Sequence, residues 1–431
     1  FDWQMRCILM LGAITYRRPL NLIAAFNIIG YLFLFFSDEP YNWMTLAVGG
    51  AATFIICSAC LIIIKRNHGD EYLILIVSML LSVGLMMIYR LDERLGLKQL
   101  VWIAVGLGLF FAFYHIYIKV DKWDRFAYVY IALSAVLYLV TLVLGRNING
   151  AVNWIVIGGF SFQPSELCKI LFVFFLASYF KNPDNLFLEK YIQDKRLRVL
   201  LNKVLLMLVA YCNIGFLVLQ RELGTALLLF LTFLLVLYVF SKDLKLFLLN
   251  SAFIVPGVIF GYFMFYHLRV RVDAWLNPWA DITNKGYQIA QSLFAIASGG
   301  FFGTGIGMGR PDMVPAVSTD FIFSAICEEM GIFGGVAVVL LCMLFTYRGI
   351  KIVLGLKDRF KKILGLGIVT MIGLQTFIII GGVIKLIPLT GITLPFVSYG
   401  GSSLITSFIA LGILQAISNP KFDRAGGEAN G

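Results

Sequence analysis

The chain has 431 residues, 60% of them hydrophobic and only 14% charged, and its mean hydropathy is +0.88. That balance excludes a soluble domain. It also excludes a β-barrel, which would show alternating strands of about ten residues rather than long apolar runs. The net charge of +11 does not point to nucleic acid, because the lysines and arginines gather in loops on one side of a membrane.

Apolar runs of about 18 residues or more are long enough to cross the hydrocarbon core. The expected fold class is all-α, a polytopic membrane protein with about 12 transmembrane helices. Residues 1–19 form a short lead ending in Arg17-Arg18-Pro19. Spans are predicted at 20–36, 43–64, 73–89, 100–118 and 126–144. A polar interval at 145–163 follows. Further spans are predicted at 164–180, 199–219, 223–240, 246–266, 321–346, 363–384 and 396–417. An even number of spans puts both termini on one side, and the lysine and arginine bias makes that side cytoplasmic. The interval 145–163 and the large loop 267–320 then face outward.

The basic loops 181–198 and 347–362 read as anchors to anionic lipid headgroups. The tail 419–431 reads as disordered. No signal peptide is recognisable, and the chain opens on Phe1, which leaves the natural start open. The seven cysteines lie mostly in apolar runs and read as packing residues, Cys57-x-x-Cys60 included. His68, His115 and His267 are expected to lie far apart, with no partner at ligand spacing, and no Walker A or Gly-x-Ser-x-Gly motif is present.

The polar segments hold the candidate chemistry. Asp281 follows a turn-forming Asn277-Pro278 and Trp279, which makes it a candidate general base; on position alone, such a residue is more often a solvated loop aspartate. Arg269 and Arg271 alternate, so an extended stretch would present both on one face to a diphosphate, unless they are interfacial anchors. Gln288 and Gln291 offer amides nearby. Glu166 and Lys169 share a helix face at i,i+3, behind Gln163 and a Pro164 suited to a helix start. They pair with each other or hold an anion through the lysine. Trp154 is either an interfacial aromatic or a substrate contact. Gln220, Glu222 and Thr225 line a cavity or make a tight outer turn. Glu328 and Glu329 read as structurally paired. Ser398 lies in a Gly- and Ser-rich stretch that opens the last helix, and the run 299–309 reads as a tight, Gly-rich outer re-entrant turn.

Five stretches together resemble one family: GAVNWIVIGGFSFQPSELCK at 150–169, QRELGTA at 220–226, RVRVDAWLNPWADITNKGYQIAQSLFAIASGGFFGTGIG at 269–307, STDFIFSAICEEMG at 318–331 and PLTGITLPFVSYGGSS at 388–403. The chain is similar to the SEDS proteins (shape, elongation, division and sporulation), typified by RodA and FtsW. The resemblance implies a peptidoglycan glycosyltransferase of the bacterial cytoplasmic membrane. It would polymerise lipid II on the outer leaflet beside a class B penicillin-binding protein. It places the essential aspartate on Asp281, the Gln-Pro-Ser-Glu helix on Gln163 to Glu166 with Lys169 after it, and the first-motif tryptophan on Trp154. It further implies an organisation of 1–70 as lead and extra two-helix hairpin, 71–418 as the ten-helix core and 419–431 as tail. A divalent cation, magnesium or manganese, is compatible with diphosphate departure, although no dedicated cage is visible. Asn153, Glu222, Ile282 and Ala316 depart from the usual arginine, aspartate, proline and glutamate of the family. A lipid II flippase and a non-catalytic scaffold share the expected topology, and they stand as alternatives.

Overall fold

The computed structural model describes residues 2–37, 41–120, 122–148, 151–158, 160–183, 194–241 and 243–420, with the backbone alone for 2–18. The expected tail falls mostly outside these residues, as does the middle of the loop 181–198. Fifteen helices run in chain order: α1 Asp2–Ser37, α2 Trp43–Arg66, α3 Glu71–Leu91, α4 Glu93–Lys119, α5 Ala127–Leu144, α6 Pro164–Lys181, α7 Lys195–Leu219, α8 Leu223–Phe240, α9 Leu244–Ala252, α10 Ile254–Met264, α11 Tyr266–Leu276, α12 Tyr287–Gly299, α13 Ile322–Gly355, α14 Arg359–Val383 and α15 Gly401–Ile417. Short polar residues start many of them. Asn42, Asp70, Asp92, Asp194, Asp243 and Asp358 each accept a first-turn amide, and Pro164 opens α6 where no amide is needed.

Ten spans among the described residues are long and apolar enough to cross a membrane, which makes this a multi-pass membrane protein. The expected twelve is reached only by adding α6, which carries Glu166, Lys169 and Lys181, and α15, which has 17 residues. The core is built on α3 and α14, whose apolar windows are 83% and 72% buried. The span Leu244–Met264, broken at Phe253 into α9 and α10, is only 11% buried and lies at the periphery. Lys245 on α9 is exposed.

Four expectations are corrected. The lead is helical and continuous with the first span through Pro19. The interval 145–163 is a three-stranded antiparallel sheet, β1 Arg146–Ile148, β2 Ala151–Ile157 and β3 Phe160–Phe162, because its Val, Ile and Trp residues suit a pleated surface. The supposed loop 267–320 is largely helical, holding most of α11, a single turn Pro278–Asp281, and α12. His68 and His115 are not far apart: their ring centroids lie 5.9 Å from each other.

The Gly-rich run after α12 packs into a break in α13. Gly331 leaves the helical region at φ 71°, which frees the carbonyls of Glu328 and Glu329. These accept from the amides of Thr304 at 2.9 Å and Gly305 at 3.1 Å. A side chain at Gly331 would collide with the Phe301 carbonyl. Arg90 closes the turn, donating to the Gly307 and Gly309 carbonyls and pairing with Glu329 at 3.2 Å. Glu328 accepts from the Arg310 amide at 2.8 Å. Both glutamates are therefore structural, as their sequence context suggests.

Candidate functional site

The start of α6, the turn between α7 and α8, and the segment 388–403 meet at one end of the bundle. Glu222 Oε1 accepts from Gln163 Nε2 at 2.7 Å, Ser165 Oγ at 2.9 Å and Thr225 Oγ1 at 2.6 Å, while its Oε2 is buried with no donor among the described residues. Burial raises this carboxyl to about 6 from its ordinary 4.5, with Glu166 adding to the rise; the Thr225 and Ser165 hydroxyls and Lys169 oppose it. The folded state therefore holds the proton more tightly than the unfolded chain. The resulting stability is complete below about pH 4.5 and is lost as the pH rises through about 6. Glu222→Gln should flatten that slope in a melting-temperature series across the same window.

One turn along α6, Lys169 Nζ and Glu166 form a buried ion pair at 2.9 Å. Lys169 also donates to Gln375 Oε1 at 3.1 Å, and Thr406 Oγ1 donates to Glu166 Oε2 at 3.0 Å. Gln375 Nε2 in turn donates to the Thr393 carbonyl at 2.8 Å. The i,i+3 spacing anticipated the pair but not Gln375 or Thr406. Gln375 had a signal, being a lone amide in the apolar run of α14.

Gln220 is fully buried at the end of α7, and its Nε2 donates to the Tyr138 carbonyl at 3.2 Å. Its own carbonyl accepts from Val152 of β2 at 3.1 Å, which docks the sheet onto this turn. Trp154, on the same strand opposite Arg146, is partly exposed.

Arg269 and Arg271 do not share a face. The stretch is the helix α11, and residues two apart on a helix point about 200° apart. Arg269 lies over the Tyr262 ring at 5.6 Å and donates to the Phe263 carbonyl at 3.2 Å. Arg271 turns the other way and donates to the Thr390 carbonyl at 2.6 Å. Gly391, at φ 73°, sits between Arg271 and Asp320: a Cβ there would lie 2.9 Å from the guanidinium and 3.4 Å from the carboxylate. Burial pushes the Asp320 carboxyl up, and the Thr319 hydroxyl and Arg271 hold it down. No local pattern announces that Asp320 and Thr390 stand beside Arg271. Gly391→Ala should cost about 1–3 kcal/mol through backbone strain alone. It should also displace the arginine, and a thermal melt should show the loss.

Asp281 ends the single turn after α11. It is half-buried, and its carboxylate accepts from Asn284 Nδ2 at 3.0 Å and the Lys285 amide at 3.4 Å. Gly286 closes the turn onto the Asp281 carbonyl at 2.9 Å, and a Cβ there would strike the Pro278 carbonyl. Trp279 is 52% exposed beside Phe294. Gln288, the second residue of the half-buried α12, has no side-chain hydrogen bond among the described residues.

Ser398 is buried within its own loop, accepting from the Leu394 amide at 2.9 Å and donating to the Thr319 carbonyl. The Tyr399 amide donates to the Ser318 carbonyl at 2.8 Å, and the Gln163 amide donates to Ser402 Oγ at 3.1 Å. Segment 388–403 is thus bonded to 163, to Arg271, to 318–319 and, through Thr393, to Gln375. Five stretches scattered from 150 to 403 form one assembly.

A family model described as cell cycle protein, of the FtsW, RodA and SpoVE type, matches residues 70–422. The chain belongs to the FtsW/RodA/SpoVE family. Peptidoglycan glycosyltransferase RodA of Mycobacterium bovis is 36% identical over 399 residues, covering 89% of this chain and 85% of the relative. Stage V sporulation protein E of Bacillus subtilis is 33% identical, covering 82% and 98%. A chain of a peptidoglycan synthase complex superposes with a TM-score of 0.65 at 28% identity, over 81% of this chain and 97% of its own length. The Thermus thermophilus rod shape determining protein RodA gives 0.56 at 26% identity, over 81% and 96%. All five motif stretches lie within the matched FtsW/RodA/SpoVE region. Among the described residues, no group of three or more His, Cys, Asp or Glu side chains is placed to hold a metal ion.

Proposed function

We propose that this chain is a peptidoglycan glycosyltransferase that joins lipid II units into β-1,4 glycan on the outer face of the cytoplasmic membrane, with Asp281 as general base. The observation that carries this reading is the hydrogen-bonded assembly of all five motif stretches at one end of the bundle, with Asp281 on a rigid turn leading from it. Asp281 takes the proton from the C4 hydroxyl of the acceptor GlcNAc. The freed oxygen attacks C1 of the donor MurNAc, undecaprenyl diphosphate leaves, and the α-linked donor becomes a β-linked product in one inversion.

We read the three candidate cations as divided between two tasks. Lys169 and Arg271 are committed to Glu166, Gln375 and Thr390, so they hold the frame. Arg269, held by one carbonyl and an aromatic face, is the cation left for the departing diphosphate. Gln288 and Trp154 supply an amide and an indole for the sugars. On this reading the core is 71–418, both termini are cytoplasmic, and the first two helices are an addition to it. The partner is a class B penicillin-binding protein.

The test is polymerisation of purified lipid II by the full chain, with and without a class B transpeptidase. Long glycan is the expected product. No product under either condition would shift the reading to a flippase, which needs a polar path across the bilayer, or to a scaffold.

A further inference from the structure

The other end of the same helices holds a cavity of about 860 Å³. It lies between the last turn of α6, the stretch of α7 from Val199 to Leu206, the last turn of α8 and the first turns of α9 and α14. The 18 residues of α6 set it about 27 Å from the Gln163–Glu222 cluster, close to the thickness of a hydrocarbon core. The lysine and arginine bias puts this end at the cytoplasmic leaflet.

Its walls are mixed. Leu206 and Leu237 are buried beneath it, and Phe240 and Leu244 extend the apolar surface toward the ends of two spans. Among the described residues four cations line it, against Asp243 as the single acid. Two of the four are committed: Lys203 pairs with Asp243 at 2.7 Å and Lys181 with Asp124 at 3.0 Å. Lys245 and Arg359 are exposed and have no acidic partner among the described residues. The volume suits a small amphiphile. An apolar wall continuous with the bilayer, ending in two uncommitted cations, fits a molecule with acyl chains and a phosphate.

We infer that this cavity binds an anionic phospholipid of the cytoplasmic leaflet, with its phosphate between Lys245 and Arg359 and its chains along Phe240 and Leu244. The leaflet supplies such lipids at high local concentration and attracts basic side chains at its surface. The inference needs only the membrane orientation and is independent of the glycosyltransfer reading.

The test titrates the purified full chain in detergent with dioleoylphosphatidylglycerol or dioleoylphosphatidylcholine and counts bound lipid by native mass spectrometry. The phosphatidylglycerol adduct should saturate at a defined stoichiometry and exceed the phosphatidylcholine adduct. The pair Lys245→Gln and Arg359→Gln should weaken phosphatidylglycerol binding about thirtyfold. Both side chains are exposed, so the fold should survive, as an unchanged melting temperature would verify. The charge-keeping pair Lys245→Arg and Arg359→Lys should bind as the wild type does. Equal binding of the two lipids, undiminished binding by the glutamine pair, or displacement of the lipid by inorganic phosphate would overturn the inference.

Discussion

Asp281→Asn should abolish lipid II polymerisation while leaving the protein folded. Loss of a general base lowers a rate by about 10² to 10⁴. The substitution keeps the side chain's size and one acceptor oxygen, so the 3.0 Å contact from Asn284 can persist, while the long 3.4 Å contact from the Lys285 amide, made to the other oxygen, is lost. The turn itself is fixed by backbone bonds: the Gly286 amide to the Asp281 carbonyl, and the Asn277 amide to the Asp273 carbonyl at 3.0 Å. What the variant loses is the capacity to accept a proton. The measurement is glycan synthesis beside a melting curve. A stable but silent variant supports the assignment, whereas a variant that still makes long glycan moves the base to another residue.

Much of this arrangement could be read from the chain, and the unread parts share a cause. Apolar runs predict the spans because lipid imposes length and hydropathy. Pro164, Glu166 and Lys169 predict a helix start and its ion pair because both are local relations. Arg269-Val270-Arg271-Val272 misleads, since alternation is the signature of a strand, and the stretch is the helix α11. That helix is held by contacts no local pattern encodes, such as Arg271 reaching Thr390 and Trp275 Nε1 donating to the Lys385 carbonyl at 3.1 Å. The sheet at 146–162 was signalled by Ala-Val-Asn-Trp-Ile-Val-Ile at 151–157, a strand-like composition that its position between two spans obscured. Among the site residues, Asp320, Gln375 and Thr406 become intelligible only once the fold brings distant segments together.

Lys169→Met should be the most damaging of the framework substitutions. Its side chain is 4% exposed and that of Glu166 8%, so the change leaves a carboxylate in the protein interior with only the Thr406 hydroxyl donating to it among the described residues, and strips Gln375 of a donor. Removing one partner of a buried pair typically costs about 3–5 kcal/mol, whereas replacing both with neutral groups of similar shape is often close to neutral. A large drop in melting temperature is therefore expected for the single variant, and recovery of most of it on adding Glu166→Gln. Activity then separates two roles that stability alone confounds. If Lys169 only holds α6 to α14, the stable double variant should polymerise lipid II again. A double variant that melts like the wild type yet makes no glycan would place the Lys169 ammonium in the reaction itself.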